Sequence, residues 1–255
     1  MVEWSDDAIV MGCKIHGEKN AVVEVMTPEH GRFNALVRSG MSSTLRPLLQ
    51  VGNSLRVLWR ARLEEQLGTF NVEALRIRTD RFLHVPHALH LLNVCSTLIR
   101  LLPERVPHTN IYHALHELCD NAHHFPMSGF SLVRFEMLIL QELGFGLDLT
   151  CCAATGKTQE LIYVSPKSAQ AVSADAGEPY RAKLLRLPPF LRETSHASQS
   201  QILAHAHDIK NSELASEAFD GFALTGFFLE RHVFEPRGMV MSDSRARIVN
   251  GLKAG

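Results

Sequence analysis

The hydrophobic period of this chain changes once, near Asp80, and that change restricts its architecture more than any other feature. Before it, short apolar runs alternate with polar residues at a period of two, the pattern of strands buried on one side. Ala8 to Ile15 and Ala21 to Met26 are joined by His16-Gly17-Glu18-Lys19, a hairpin signal. Thr27-Pro28-Glu29-His30-Gly31 places proline early and glycine late, as turn chemistry prefers, and Arg32 to Arg38 follows as a third strand. Residues 39–53, with Gly40, Pro47 and the pair Gly52-Asn53, form a loop. Ser54 to Arg62 and Thr69 to Arg78 supply strands four and five, and a slip in alternation near Val72 to Leu75 predicts a bulge. Five strands in about eighty residues, with the long connection between the third and fourth, predict a small Greek-key barrel such as an OB-fold. A five-stranded SH3-like barrel fits the same pattern.

After Asp80 the period is helical. Pro86 suits a first turn, and Ala88, Leu92, Cys95, Ile99 and Leu102 recur on one face until Pro103. Thr109 or Asn110 caps a second helix with Ile111, Leu115, Leu118 and Ala122 as its stripe. A third runs to about Leu143 through Leu132, Phe135 and Ile139, with Gly144 as its C-cap. Residues 147–190 are irregular, and helical pattern returns at about Ser198–Ile209 and Glu213–Glu235. The tail from Pro236 carries Arg237, Arg245, Arg247 and Lys253 against Asp243. The expectation is an α+β chain of two domains: an OB-fold nucleic-acid-binding barrel over 1–80, then a helical domain over 81–255 with an irregular segment at 147–190.

Composition excludes more than it identifies. The 26 Lys and Arg balance 27 Asp and Glu, so bulk charge points to no partner, and any polyanion surface must come from local segregation. No run of about 18 apolar residues spans a bilayer, and the acidic start Met1-Val-Glu-Trp-Ser-Asp-Asp is wrong for a signal peptide. Five cysteines, an odd count, imply no disulfide framework; Cys13, Cys95 and Cys119 are expected to be reduced and buried. A cytoplasmic, nucleoid-associated protein is expected.

The fourth strand is the most informative segment. Leu55, Val57, Trp59 and Ala61 point to one side, and Arg56, Leu58, Arg60 and Arg62 to the other. The third strand repeats this, with Phe33, Ala35 and Val37 against Arg32, Asn34, Leu36 and Arg38, and the following loop adds Arg46. Guanidinium groups along a barrel face suit a phosphodiester backbone, because each neutralised phosphate releases condensed counterion. The plainer alternative is a solvated surface tied to Glu64, Glu65 and Glu73; the barrel segment carries as many acids as bases. Stacking aromatics are sparse: Trp59 is in phase with the core, leaving Phe70 and Trp4.

Other constellations are weaker. His113, His116, Asp120 and His123 share one helix face, His84, His87 and His90 form another run, and His205-Ala-His207-Asp208 contains a His-Asp pair. These would suit a metal-dependent phosphohydrolase if ligands converged from several helices. A polar, His-rich helix face is the plainer account, and no metal is expected. Gly156-Lys157-Thr158 lacks the earlier glycine of a P-loop, since Cys151 stands there, so a turn is expected. No nucleophile elbow or carboxylate pair is visible, so catalysis finds no support. A scaffold without DNA affinity is the other competing class.

Trp4, Ile9-Val10, Thr27-x-Glu29-x-Gly31, Leu49-Gln50-x-Gly52, Trp59-x-Ala61-Arg62-Leu63 and Leu67-Gly68 resemble the start of the RecO family of bacterial recombination mediators. Arg134-Phe135-Glu136, Glu142-Leu143-Gly144-Phe145, Leu147-Asp148-Leu149, Tyr163 to Ser168, Ala171-Val172-Ser173, Leu184-Leu185-x-Leu187-Pro188 and Phe228 to His232 continue the likeness, particularly to its alphaproteobacterial branch. The match runs in order over nearly the whole chain.

The resemblance implies an N-terminal OB-fold, a central helical bundle and an elaborated C-terminal part. It also implies binding of single- and double-stranded DNA, annealing of complementary strands, and help in loading RecA onto coated single strands. RecR and the acidic tail of the single-stranded-DNA-binding protein are the implied partners. By motif order, the family's DNA face falls on Arg32, Arg38, Arg56, Arg60 and Arg62, with Arg46 in the loop. An apolar pocket for the acidic tail is expected near Arg134, Arg231 and Arg237. Two departures stand out. Many members carry a four-cysteine zinc module after the third helix, where this chain has Cys151 and Cys152, so no zinc is expected and apolar contacts should hold the turn. The loop Gly40 to Arg46 is poorer in arginine than in relatives, which weakens its share of binding.

Overall fold

The computed structural model describes residues 1–124, 127–192 and 211–253. The helix expected at about Ser198–Ile209, and with it His205, His207 and Asp208, lies outside the described residues. Contacts divide the chain into two compact units, Met1–His123 and His124–Gly255. The period change at Asp80 thus marks a change of element type, and the contact boundary comes later.

In the first unit, β1 (Val2–His16), β2 (Asn20–Thr27), β3 (Gly31–Val37), β4 (Ser54–Ala61) and β5 (Thr69–Arg76) form a ring in the order β1-β2-β3-β5-β4, with β4 returning to β1. The ladders are antiparallel except at the closure, where β3 meets β5 in parallel through the single pair Leu36 and Thr69, aided by Leu36 N–H donating to Gly68 O at 3.2 Å. A third strand that passes over the fourth to reach the fifth selects the OB-fold over the SH3-like alternative. The ring is filled by the predicted phase: Phe33, Ala35 and Val37 from β3 and Leu55, Val57, Trp59 and Ala61 from β4 are all buried. Pairing passes from Ser54–Arg76 to Leu55–Ala74, which leaves Leu75 as a bulge within the expected stretch.

Two strand details differ from expectation. β1 begins at Val2, not Ala8, because Val2 to Asp7 pair along β4 from Ala61 to Arg56; the polar segment is a strand by virtue of its partner. Cys13 is exposed rather than buried, since β1 bulges at Met11 and continues as a hairpin arm facing water.

Helices α1 (Thr79–Leu83), α2 (Pro86–Ile99) and α3 (Thr109–Asn121) complete this unit. The predicted stripe of α2, Ala88, Leu92, Cys95 and Ile99, is buried as its spacing requires. The connection between α2 and α3 straps β3: Glu104 bridges Arg32, and Arg105 N–H donates to Arg32 O at 2.9 Å. Gly31 permits this approach, with φ at +64° and the space of a Cβ lying 1.8 Å from Val106 O.

The second unit contains α4 (Met127–Glu142), a small sheet of β6 (Leu161–Val164) flanked by β7 (Ala171–Ser173) and β8 (Leu185–Arg186), short helices α5 (Ala174–Gly177) and α6 (Pro189–Arg192), and the long helix α7 (Asn211–Leu229). A π turn (Glu230–Phe234) and a 3-10 turn (Glu235–Arg237) lead to α8 (Asp243–Lys253). The expected basic tail is therefore a packed element. Its Arg245 turns inward, where Nε bonds Glu136 Oε1 at 2.7 Å and Nη2 reaches Phe222 O at 2.8 Å. Glu136 is fully buried and also accepts the Thr225 hydroxyl, so one carboxylate ties α4, α7 and α8 together.

Candidate nucleic-acid interface

Five of the six barrel arginines, all but Arg32, are exposed, and the ring order separates them. β5 lies between β3 and β4 on one side, and β1 and β2 lie between them on the other. Strand register decides what each guanidinium meets. Along β4, Arg56 stands opposite Asp7 of β1 and Arg60 opposite Glu3, and both pairs close, at 2.6 and 2.8 Å. On β3, Arg32 is 14% exposed and bonds Glu24 at 3.3 Å, Glu104 at 2.9 Å and Leu102 O at 3.2 Å. Arg32 thus holds the strap, and its donors are turned into the protein. Its place in a common arginine stripe is corrected accordingly: the carboxylates that neutralise it come from β2 and from the segment beyond α2.

Arg38 and Arg62 differ because each sits one residue past its strand, beyond the ladder where acids stand opposite. Both are exposed and make no ion pair among the described residues. The parallel closure brings the two strand ends together, so that Arg38, Arg60 and Arg62 line one shallow cleft of about 480 Å³ with Met1, Thr69 and Asn71. Arg46 stands apart, in a second cleft with Cys13, Ile15, Glu18 and Gln50.

The β4–β5 connection that follows Arg62 is tied to the barrel and to the strap. Trp59 Nε1–H donates to Leu67 O at 3.0 Å, and Arg105, stacked over Phe33 at 4.6 Å, donates to Gln66 O at 2.9 Å and to Glu64 O. The β4–β5 hairpin is therefore pinned while it presents Arg62. Of the candidate stacking aromatics, Phe70 is buried in the barrel, and Trp4 stacks on His30 at 3.8 Å, whose Nδ1 lies 3.1 Å from Asp6. Thr69 and Asn71 were not singled out by the sequence; their outward phase on β5 was the available signal.

The histidine face of α3 has a structural use. Asp120 bonds Arg76 at 2.5 Å and the almost fully buried Arg78 at 2.6 Å, and His116 Nε2 lies 3.2 Å from the same Arg78 guanidinium. Burial, and then the Arg78 charge, push the His116 imidazole below its usual value. Among the described residues, no three His, Cys, Asp or Glu side chains converge as metal ligands.

In the second unit, Arg134 is half-buried on α4, Arg231 is exposed with its guanidinium 5.8 Å from the Phe227 ring, and Arg237 donates to Val233 O at 2.9 Å. The Gly156 segment is a turn, closed by Cys152 N–H to Lys157 O at 2.7 Å. Backbone bonds and the buried Cys152 sulfur hold it. The residues here do not fit the zinc module that the resemblance implies, because a closed tetrahedral site needs four N, S or O ligands and only Cys151 and Cys152 carry thiols.

A five-stranded OB-type barrel with Arg38, Arg60 and Arg62 gathered at its closure, followed by a helical unit around a small sheet, defines the class. Comparison with known proteins narrows it. The family model described as "Recombination protein O N terminal" matches residues 1–78, and "Recombination protein O C terminal" matches residues 87–238. A DNA repair protein RecO from Nitrobacter hamburgensis is 49% identical over 251 residues, covering 98% of this chain and 94% of the relative. One from Rhodopseudomonas palustris strain TIE-1 is 49% identical over 98% and 96% of the two chains, and one from Bradyrhizobium diazoefficiens 47% over 98% and 95%. The chain belongs to the RecO family. No helix among the described residues is long and apolar enough to cross a membrane.

Proposed function

We propose that this chain is a DNA-repair mediator that binds single- and double-stranded DNA through its barrel, anneals complementary strands and assists the loading of RecA onto coated single strands. Membership of a family whose relatives are named DNA repair proteins supports the broad role. The observation that carries the DNA contact is the cleft where Arg38 and Arg62, both without a carboxylate partner among the described residues, line one surface with Thr69 and Asn71. Two guanidinium groups, one of them on a tied hairpin, neutralise phosphates without first being freed from acids, and Thr69 and Asn71 add neutral donors in the same cleft. Holding two repelling strands near such a site lowers the electrostatic barrier to their pairing. Arg60 contributes when Glu3 yields it, Arg56 and Arg46 contribute at the margin, and Arg32 supports the strap. RecR and the coating protein's acidic tail are the proposed protein partners, the tail meeting the exposed Arg231 and Arg237 in preference to Arg134.

The test is salt-titrated fluorescence anisotropy with short labelled oligonucleotides. Replacing Arg38 and Arg62 with Glu is expected to cut single-strand affinity severalfold or more and to flatten the salt slope by about 0.7 for each phosphate left without its guanidinium. Arg32→Ala, matched for expression and folding, should leave the slope unchanged. An unaltered isotherm in the double variant would remove the cleft from the mechanism. Annealing of oligonucleotides pre-coated with the cognate single-strand-binding protein then tests the mediator role.

A further inference from the structure

Two turns of the second unit close around one sulfur. Cys152 is 2% exposed, at the head of the turn in which Gly156 N–H returns to Cys152 O at 2.8 Å. Facing it is the turn that leaves β7 at Ser173 and enters α5. Ser173 N–H donates to Cys152 Sγ at 3.3 Å, and the Ala154 N–H and Thr155 hydroxyl aim at the same sulfur. The Ser173 hydroxyl also faces it, yet Oγ is buried and completes no hydrogen bond of ordinary geometry. Around this centre the turns are laced by Ala153 N–H to Ala171 O and Ala174 N–H to Glu160 O, both at 2.9 Å, and by Lys157 Nζ to Asp175 at 3.3 Å.

Cys152 and Thr155 stand at the first and fourth positions of a tight turn, the spacing at which a knuckle presents two side chains to a tetrahedral metal. Opposite them Ser173 offers a third heteroatom. The donors are one sulfur and two neutral hydroxyls, a poor set for zinc, so the centre has the shape of a metal clasp without its ligands. The orphaned Ser173 oxygen sits where such a clasp would carry a further thiol.

We infer that the Cys152 sulfur stands in for a metal ion, joining the 151–157 turn to the β7–α5 turn through hydrogen bonds, so that this module is metal-independent, and thiols at positions 155 and 173 would give it three of the four ligands of a tetrahedral centre.

The test uses the full-length protein purified without a metal-binding tag. Elemental analysis should find no stoichiometric zinc, and a strong chelator should leave the thermal transition unmoved. The variant Thr155→Cys with Ser173→Cys should bind one equivalent of cobalt(II) through three thiolates and a water, with thiolate charge-transfer and tetrahedral d–d absorption, and adding Cys152→Ala should abolish that spectrum. Stoichiometric zinc in the natural chain, or a chelator-induced fall in its transition temperature, would overturn the inference. So would a double variant that is folded by circular dichroism and takes up no cobalt. If the double variant does not fold, the zinc content and chelator response of the natural chain decide the matter.

Discussion

At the residue scale, ion pairing separates the arginines from one another more than exposure does. The outward phase of Arg56, Arg60 and their neighbours was legible from alternation alone, because a period of two leaves no other face for them. Their pairing was not, since it depends on Val2 to Asp7 being a strand, and nothing in that segment's own hydrophobicity says so. Once β1 reaches Val2, Glu3 and Asp7 fall opposite Arg60 and Arg56 by register. Both members of the Arg60–Glu3 pair are about half exposed, so the bond is weak, and on the proposed function a phosphate would compete with it. Glu3→Gln should therefore tighten oligonucleotide binding, by up to about fivefold if the pair is worth about 0.2–1 kcal/mol. Anisotropy at fixed salt reads this directly, and no gain would mean that Arg60 does not touch the strand. The buried pair is another matter. Glu136→Ala leaves Arg245 enclosed without its counter-charge and should destabilise the second unit by about 3–5 kcal/mol in urea titration.

At the scale of elements, the histidine-rich helix shows how a pattern that suggests chemistry can serve packing. His113, His116, Asp120 and His123 were legible as one face of α3. That Asp120 is spent on Arg76 and Arg78 was not, because those partners lie some forty positions earlier and carry no local mark. The arrangement has a pH consequence. Burial lowers the His116 imidazole below its ordinary value of 6.5, with Arg78 next in effect; burial also lowers His87. A histidine whose folded pKa is depressed binds fewer protons folded than unfolded, so stability is fully present above the unfolded value and is lost as pH falls through it. The first unit should therefore melt at steadily lower temperature as pH drops below about 6.5, with little change from these groups above about pH 7. His116→Asn should reduce that dependence, and a pH-independent transition would show that these imidazoles do not govern it.

At the scale of the molecule, the barrel and helices α2, α3 and α4 were readable from periodicity and the family from the resemblance of its motifs, whereas the boundary of the first compact unit was not. Periodicity records which element a segment forms and is silent on what it packs against. Val106 against Gly31, Arg105 over Phe33 and Asp120 on Arg78 all belong to the barrel's unit while lying beyond its strands. A fragment of residues 1–123 should consequently give a cooperative thermal transition, and a fragment of residues 1–80, with Arg78 stripped of its carboxylate, should melt far lower or not fold at all. Comparable transitions for the two would place the boundary at the end of the strands. Both tryptophans of the chain, Trp4 and Trp59, sit in the barrel with ring centres 5.7 Å apart. Intrinsic indole emission is in consequence a private reporter of the first unit. It will register melting there, while the second unit can unravel in optical silence.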